Sequence, residues 1–232
     1  MNFTINKRYF YEKLSVVSRA ISVFSPLPAF SGVKIDVSAT QIVLTGSDSD
    51  ISIRSTILPD EDNQLTINDI GSIVIEAKYI LEIVRKIEGD VIEIEILDDT
   101  LTRISGTNAQ FKINGMKSTD YPAIDFSQPR ESFQISSEVL KEIITQTSFA
   151  TSDRETRPVL TGVNFSCQDH QLQCVATDSY RLAKKLVPID ATVSFNITIP
   201  SKSLQEVLKS IGEEENVTLY VDHKKAQFLI DH

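Results

Sequence analysis

The sequence predicts an α+β protein of two tandem domains, each built from two βαβββ halves with two helices packed on antiparallel sheets. Three observations predict it. The chain repeats itself at a fixed offset. Within each copy, a short apolar strand pattern runs into an amphipathic helix twice. Each helix is then followed by segments of period-two alternation.

The repeat carries the most information. With residue n set against n+130, Phe3-Thr4-Ile5 falls on Phe133-Gln134-Ile135, and Phe10 and Leu14 fall on Leu140 and Ile144. Pro28, Phe30, Gly32, Val33 and Ile35 fall on Pro158, Leu160, Gly162, Val163 and Phe165, and Asp48 falls on Asp178. A small deletion then moves the offset to 124, where Ile73-Val74-Ile75 meets Ile197-Thr198-Ile199 and Lys78 meets Lys202. Matches sustained at constant offset define a duplicated domain. The expected boundaries are 1–126 and 127–232, with Tyr121 to Ile124 and Ser127 to Pro129 as the linker. Copy two stops about 20 residues short of copy one. A domain without its last strand would leave an unpaired edge, so the natural chain is expected to continue past His232.

In copy one a strand near 2–5 leads through Asn6, a helix-capping residue type, into a helix near 7–20 with Phe10, Leu14, Val17 and Ile21 on one face. Alternating strands are expected near 32–38, 41–46, 50–57, 64–68 and 72–76. A second helix near 77–87 carries Ile80, Ile83, Val84 and Ile87 and is followed by Gly89. Val91 to Leu97 and strands near 101–106 and 109–114 complete the unit, and copy two is expected to follow the same plan.

Composition narrows the function. A 232-residue chain that is 41% apolar, with 8 Gly and 8 Pro, is globular and long enough for two cores. No apolar run approaches the ~18 residues of a membrane span, and the N-terminus lacks a signal-peptide core, so a cytoplasmic protein is expected. A net charge of −9 argues against broad phosphate neutralisation and leaves room for a local basic strip. Cys167 and Cys174 replace Val37 and Leu44 of copy one, which predicts buried thiols. With His170, His223 and His232 they complete no recognised metal spacing, and no metal or cofactor is expected.

Residues 177–182, Thr-Asp-Ser-Tyr-Arg-Leu, group hydroxyls, a carboxylate, a guanidinium and an apolar side chain. No base stands beside a nucleophile as covalent catalysis needs, so the segment reads as the rim of a partner site. Basic residues gather on the expected helices: Lys7, Arg8, Lys13 and Arg19; Lys78, Arg85 and Lys86; Lys202 and Lys209. Acidic ones, including Glu213 to Glu215, fall in loops and strands.

These residues carry a family resemblance. Met1 to Ile5, Leu44 to Asp48, Glu155 to Val163 and Val175 to Ala183, set inside the repeat, make the whole sequence similar to the bacterial sliding clamp family, the beta subunit of replicative DNA polymerase III. The resemblance implies a non-enzymatic processivity factor: three similar clamp domains per chain and a head-to-tail dimer closing around double-stranded DNA, with helices lining the hole. The present sequence would supply the first domain and most of the second, without the third.

By resemblance, Lys78, Arg85, Arg154 and Lys202 are DNA-proximal. A pocket of Arg157, Leu160, Thr177, Ser179, Tyr180, Arg181 and Leu182 receives a glutamine-containing peptide of the polymerase, the clamp loader and other replication and repair proteins. Tyr79, Ile83, Ile87 and Phe111 belong to the dimer contact. Relatives often carry Gly-His in place of Ser179-Tyr180, and some carry an arginine in the loop that here reads Phe24 to Pro28. Two other readings compete. A metal-dependent nuclease using Asp48, Asp50 and Asp178 would need aspartates from separate domains to converge. A protein-binding repeat scaffold would never touch DNA.

Overall fold

The computed structural model describes residues 1–22, 25, 27–154, 156–212 and 216–230. Phe24 and Pro26 of the loop noted above, Glu155, the Glu213–Glu215 run and His232 lie outside the described residues. The chain forms two compact units, Met1–Ile124 and Asp125–His232.

In the first unit, β1 (Asn2–Asn6) and α1 (Lys7–Ser18) are followed by a 3-10 turn (Pro28–Ser31) and β2 (Gly32–Val37), β3 (Ile42–Ser47) and β4 (Ser52–Ile57). Next come β5 (Thr66–Asp69), β6 (Gly71–Glu76), α2 (Ala77–Lys86), β7 (Val91–Asp98), β8 (Leu101–Ser105) and β9 (Gln110–Asn114). The two halves exchange their leading strands. β1 joins the second half in a sheet ordered β5-β1-β7-β8-β9, and β6 joins the first in β4-β3-β2-β6. The exchange lets one core serve both halves: Phe3 and Ile5 from one sheet, Ile35 and Leu44 from the other, Phe10, Leu14 and Val17 from α1, and Ile80 and Val84 from α2. The i, i+4 spacing of Phe10–Leu14 and Ile80–Val84 puts each pair on one helical face. Asn6 caps α1 by accepting the Tyr9 N–H at 3.1 Å.

The second unit repeats the plan with β10 (Glu131–Ser136), α3 (Ser137–Thr147), 3-10 turns at Ser148–Ala150 and Pro158–Thr161, and β11 (Gly162–Gln168). β12 (Gln171–Thr177), β13 (Leu182–Pro188), β14 (Phe195–Pro200), α4 (Ser201–Ser210), β15 (Asn216–Val221) and β16 (Ala226–Leu229) follow. Its sheets are β10-β15-β16 and β13-β12-β11-β14, closed over a second core that includes both buried thiols. Gly32 and Gly162 occupy the same place in the two units. A Cβ there would come within 3.0 Å of Ile75 O and 2.5 Å of Ile199 O, so the neighbouring strand would have to shift to admit a larger residue, most of all at Gly162.

One expectation is corrected and another gains detail. The copies do not read alike throughout: the deletion that moves the offset from 130 to 124 falls at β5, which has no counterpart among the described residues of the second unit. β10 is therefore an edge strand, with Ser132 and Gln134 exposed. The boundary between the units falls at 124/125, within the stretch expected as linker, and Tyr121 and Ile124 of that stretch pack onto the first unit while Ala123 is exposed. Tyr121 is 7% exposed and joins Ala29, Phe30 and Val74 in a small cluster flanked by Met116 and Ile124. An aromatic ring next to Pro122 looks like a tether in sequence, yet it buries as soon as an apolar sheet face is offered.

Candidate functional site

The 177–182 segment is the tight turn between β12 and β13. Thr177 Oγ1 donates to Arg181 O at 2.6 Å and accepts the Ser179 N–H at 3.1 Å. Asp178 Oδ1 accepts the N–H groups of Tyr180 and Arg181, both at 3.0 Å. Those two N–H bonds hold the Asp178 carboxyl below the usual carboxylate range. Ser179 takes a positive φ of 77° at the apex.

Copy one builds the same turn from different residues. Ser47 Oγ donates to Ile51 O and accepts the Ser49 N–H, Asp48 Oδ1 accepts from Asp50 and Ile51, and Ser49 has φ 86°. Asp48 and Asp178 are thus turn-forming acceptors in their own units. Among the described residues no group of three or more His, Cys, Asp or Glu side chains is placed to hold a metal ion.

What differs is the cargo. Copy two turns Tyr180 and Leu182 outward, at 96% and 66% exposure. Arg181 lies outward too, its Nε donating to Asp178 Oδ2 at 3.0 Å. The pairing of Asn164 with Val175 brings the start of β11, and the Pro158–Thr161 turn before it, to the same end of the sheet. That turn supplies half-buried Leu160 and exposed Val159, exposed Arg157 stands just before it, and Leu160 O accepts the Ser152 N–H at 2.8 Å. Exposed apolar side chains ringed by fixed polar groups suit an extended peptide with apolar anchors.

Val159 and Phe149 were not singled out from the sequence. Phe149 is 58% exposed at the end of α3, with its ring 5.6 Å from the Arg181 guanidinium carbon. The repeat held the signal, since Phe149 stands where copy one has Arg19.

The cations form repeat-related pairs. Lys78 and Lys202 open α2 and α4 at equivalent positions, and both are exposed. Lys78 pairs with Glu76 at 2.7 Å and lies 4.5 Å from the centroid of the Tyr79 ring. Its hydrogen bond to the Glu76 carboxylate raises its pKa. Arg85 and Lys209, also equivalent, contact Glu82 and Glu206 at 2.7 Å each, and Lys86 shares Glu82. Arg85, Lys86 and Lys209 thus pair with carboxylates of their own helices, and Lys78 with the last residue of β6. Arg154 is exposed in its loop.

Of the four residues expected at a subunit contact, Tyr79 (48% exposed) and Phe111 (40%, on edge strand β9) face solvent, and Ile83 is partly buried against the core. Ile87 is corrected: at 2% exposure it is a core residue. It follows the end of α2, where its N–H bonds Ile83 O at 2.8 Å and its side chain turns inward.

Two α+β units with exchanged leading strands, related by an internal repeat, define a tandem clamp-type fold. Residues 1–125 match the N-terminal domain of the DNA polymerase III beta subunit, and residues 134–232 match its central domain. The chain belongs to the DNA polymerase III beta subunit family. It is 41% identical over 223 residues to the beta sliding clamp of Halalkalibacterium halodurans, covering 94% of this chain and 59% of that protein. With the Staphylococcus epidermidis beta sliding clamp it shares 37% identity, over 99% of this chain and 62% of the relative. The crystal structure of the Bacillus subtilis DNA polymerase sliding clamp superposes with a TM-score of 0.95 at 38% identity, over 99% of this chain and 62% of that one. The chain thus spans about three fifths of the length of the relatives it matches.

Proposed function

We propose that this chain is the DNA-facing and partner-docking part of a replication processivity clamp, made of its first two domains, 1–126 and 127–232. In the complete protein, a head-to-tail homodimer would encircle duplex DNA in the cytoplasm. It would tether the polymerase, and the clamp loader would open and place it. The clamp performs no chemistry of its own.

The observation that carries the reading is the duplicated turn. Both units build it, and only the second loads it with Tyr180, Arg181 and Leu182. A fold needs the turn twice; a partner needs the side chains once. Arg157, Leu160, Thr177 and Ser179 complete the docking surface around them.

The cations of the helices and of the Arg154 loop support a sliding mode. Lys78, Arg85, Arg154 and Lys202 offer sequence-independent charge, and the carboxylates beside Lys78 and Arg85 keep phosphate contacts weak enough to exchange. Exposed Tyr79 and Phe111, with partly buried Ile83, would supply apolar side chains to the subunit contact.

The test uses the protein extended to the full length of its relatives. Loaded by its clamp loader, it should persist on closed circular DNA and be lost when the circle is linearised. Equal retention on both forms would rule out encirclement.

A further inference from the structure

We propose that Phe149 is a positioning residue for Arg181, holding the guanidinium at the rim of the docking turn in the orientation a partner meets. This rests on the docking reading above and extends it to a residue outside the turn.

The scaffold around Phe149 is fixed on both sides. Ala150 is fully buried, and Ser148 Oγ accepts from Gln205 Nε2 of α4 at 2.9 Å. Thr151 Oγ1 donates to Ser148 O at 2.8 Å, and the Ser152 N–H to Leu160 O at 2.8 Å. A backbone this constrained, carrying a ring 58% exposed, holds the ring outward without burying it. Arg181 lies between two partners, the Asp178 carboxylate at 3.0 Å and the ring face of Phe149 at 5.6 Å. The carboxylate fixes Nε, and the ring limits where the rest of the guanidinium plane can swing.

The repeat supplies an independent argument. The positions of Phe149 and Arg181 are held in copy one by Arg19 and Ile51. Each copy places one cation and one apolar group at these positions, with the order reversed. The reversal moves the cation from the helix end onto the turn, beside Tyr180 and Leu182. The copy with the cation on the turn is the one that loads the turn with exposed side chains.

The experiment combines a spectroscopic and a binding readout on the full 232-residue chain. In the 15N-labelled protein, the Arg181 Nε–Hε signal should be resolved and shifted by the ring current of Phe149. In Phe149→Leu it should lose the ring-current part of its shift while the Asp178 hydrogen bond remains, and in Phe149→Tyr it should stay. An unchanged signal in Phe149→Leu overturns the proposal. In parallel, a fluorescent peptide containing one glutamine and apolar anchors is titrated onto the variants. Phe149→Ala should weaken binding about two- to fivefold, Phe149→Tyr should restore it, and Phe149→Ala should add nothing once Arg181→Ala is present. Independent, multiplying losses for the two substitutions overturn the proposal. Arg181→Ala without effect on the peptide overturns the docking reading instead, and the arginine signal still decides the positioning. Thermal stability should not move in any of these variants, because neither side chain is buried.

Discussion

Tyr121 and Phe30 meet edge to face, with ring centroids 5.4 Å apart and planes at 81°. Their contact closes the small cluster on the sheet face of the first unit, where Tyr121 Oη also reaches Thr45 O at 3.5 Å. Removing a buried aromatic costs about 3–5 kcal/mol. Tyr121→Ala should lose about 3 kcal/mol, the low end, because the cluster is small. Tyr121→Phe should cost under about 1 kcal/mol, since it forfeits only one long hydrogen bond. Denaturant titration separates the two.

The same tyrosine predicts an alkaline limit. Burial pushes its phenol up to about 12, above its ordinary value near 10. The folded state thus keeps a proton that the unfolded chain gives up. The resulting stability is fully present below pH about 10 and is lost as pH rises towards 12. Tyr121→Phe should flatten that loss. A wild-type and variant pair with identical stability profiles from pH 9 to 12 would contradict it.

Both thiols should be silent in the native protein. Burial drives Cys174 up to about 12 and raises Cys167 as well, so almost no thiolate exists at neutral pH and neither sulfur is accessible. A disulfide-exchange reagent at pH 8 should titrate neither in buffer and both in strong denaturant. Register explains why they do not pair: Cys174 faces Phe165 and Cys167 faces Leu172. Rapid native labelling of Cys174 would show that the second core opens more readily than its packing implies.

The turn acceptors can be separated from the turn's cargo. Asp178→Ala and Asp48→Ala each remove the acceptor for two N–H groups, so the following amides should exchange faster in both variants. Only Asp178→Ala should also weaken peptide docking, because only that carboxylate orients Arg181. The Asp178 carboxyl is depressed, so its contribution is present above pH about 4. It disappears as pH falls through the lowered value. Amide exchange at Tyr180 and Arg181, measured against pH, checks the sign.

The elements were legible where one physical rule acted alone. The 3.6-residue spacing of Phe10, Leu14 and Val17 defined α1, and the repeat carried that assignment to α3. Legibility failed where two rules share one pattern. Ile83 and Ile87 stand four apart, a spacing common to a core face and an exposed seam, and only the helix end decides that Ile87 turns inward. Tyr121 beside a proline reads as tether or as plug, and its neighbour Phe30 is some 90 residues away. Phe149 was invisible to periodicity because a ring at a helix end has no face until the next turn is placed.

The pairing of Glu82 with both Arg85 and Lys86 leads to the last prediction, on how tightly DNA is held. Glu82 Oε1 meets Arg85 and Oε2 meets Lys86, each at 2.7 Å, and these cations hold the Glu82 carboxyl below its usual range. Glu82→Gln removes the negative charge and frees two cations for phosphate. Each freed cation that engages duplex DNA releases counterion, adding about 0.9 to the slope of log affinity against log salt. The variant should therefore bind a short duplex several-fold more tightly at low ionic strength, with a salt slope steeper by about 1 to 2. Fluorescence anisotropy of a labelled duplex across a salt series reads both quantities. On the complete clamp, the same substitution should slow diffusion along DNA while leaving peptide docking unchanged, because Glu82 lies in the first unit and the docking turn in the second. An unchanged salt slope would mean that these helix cations do not face the duplex, and the DNA-facing assignment of Arg85 would fall with it.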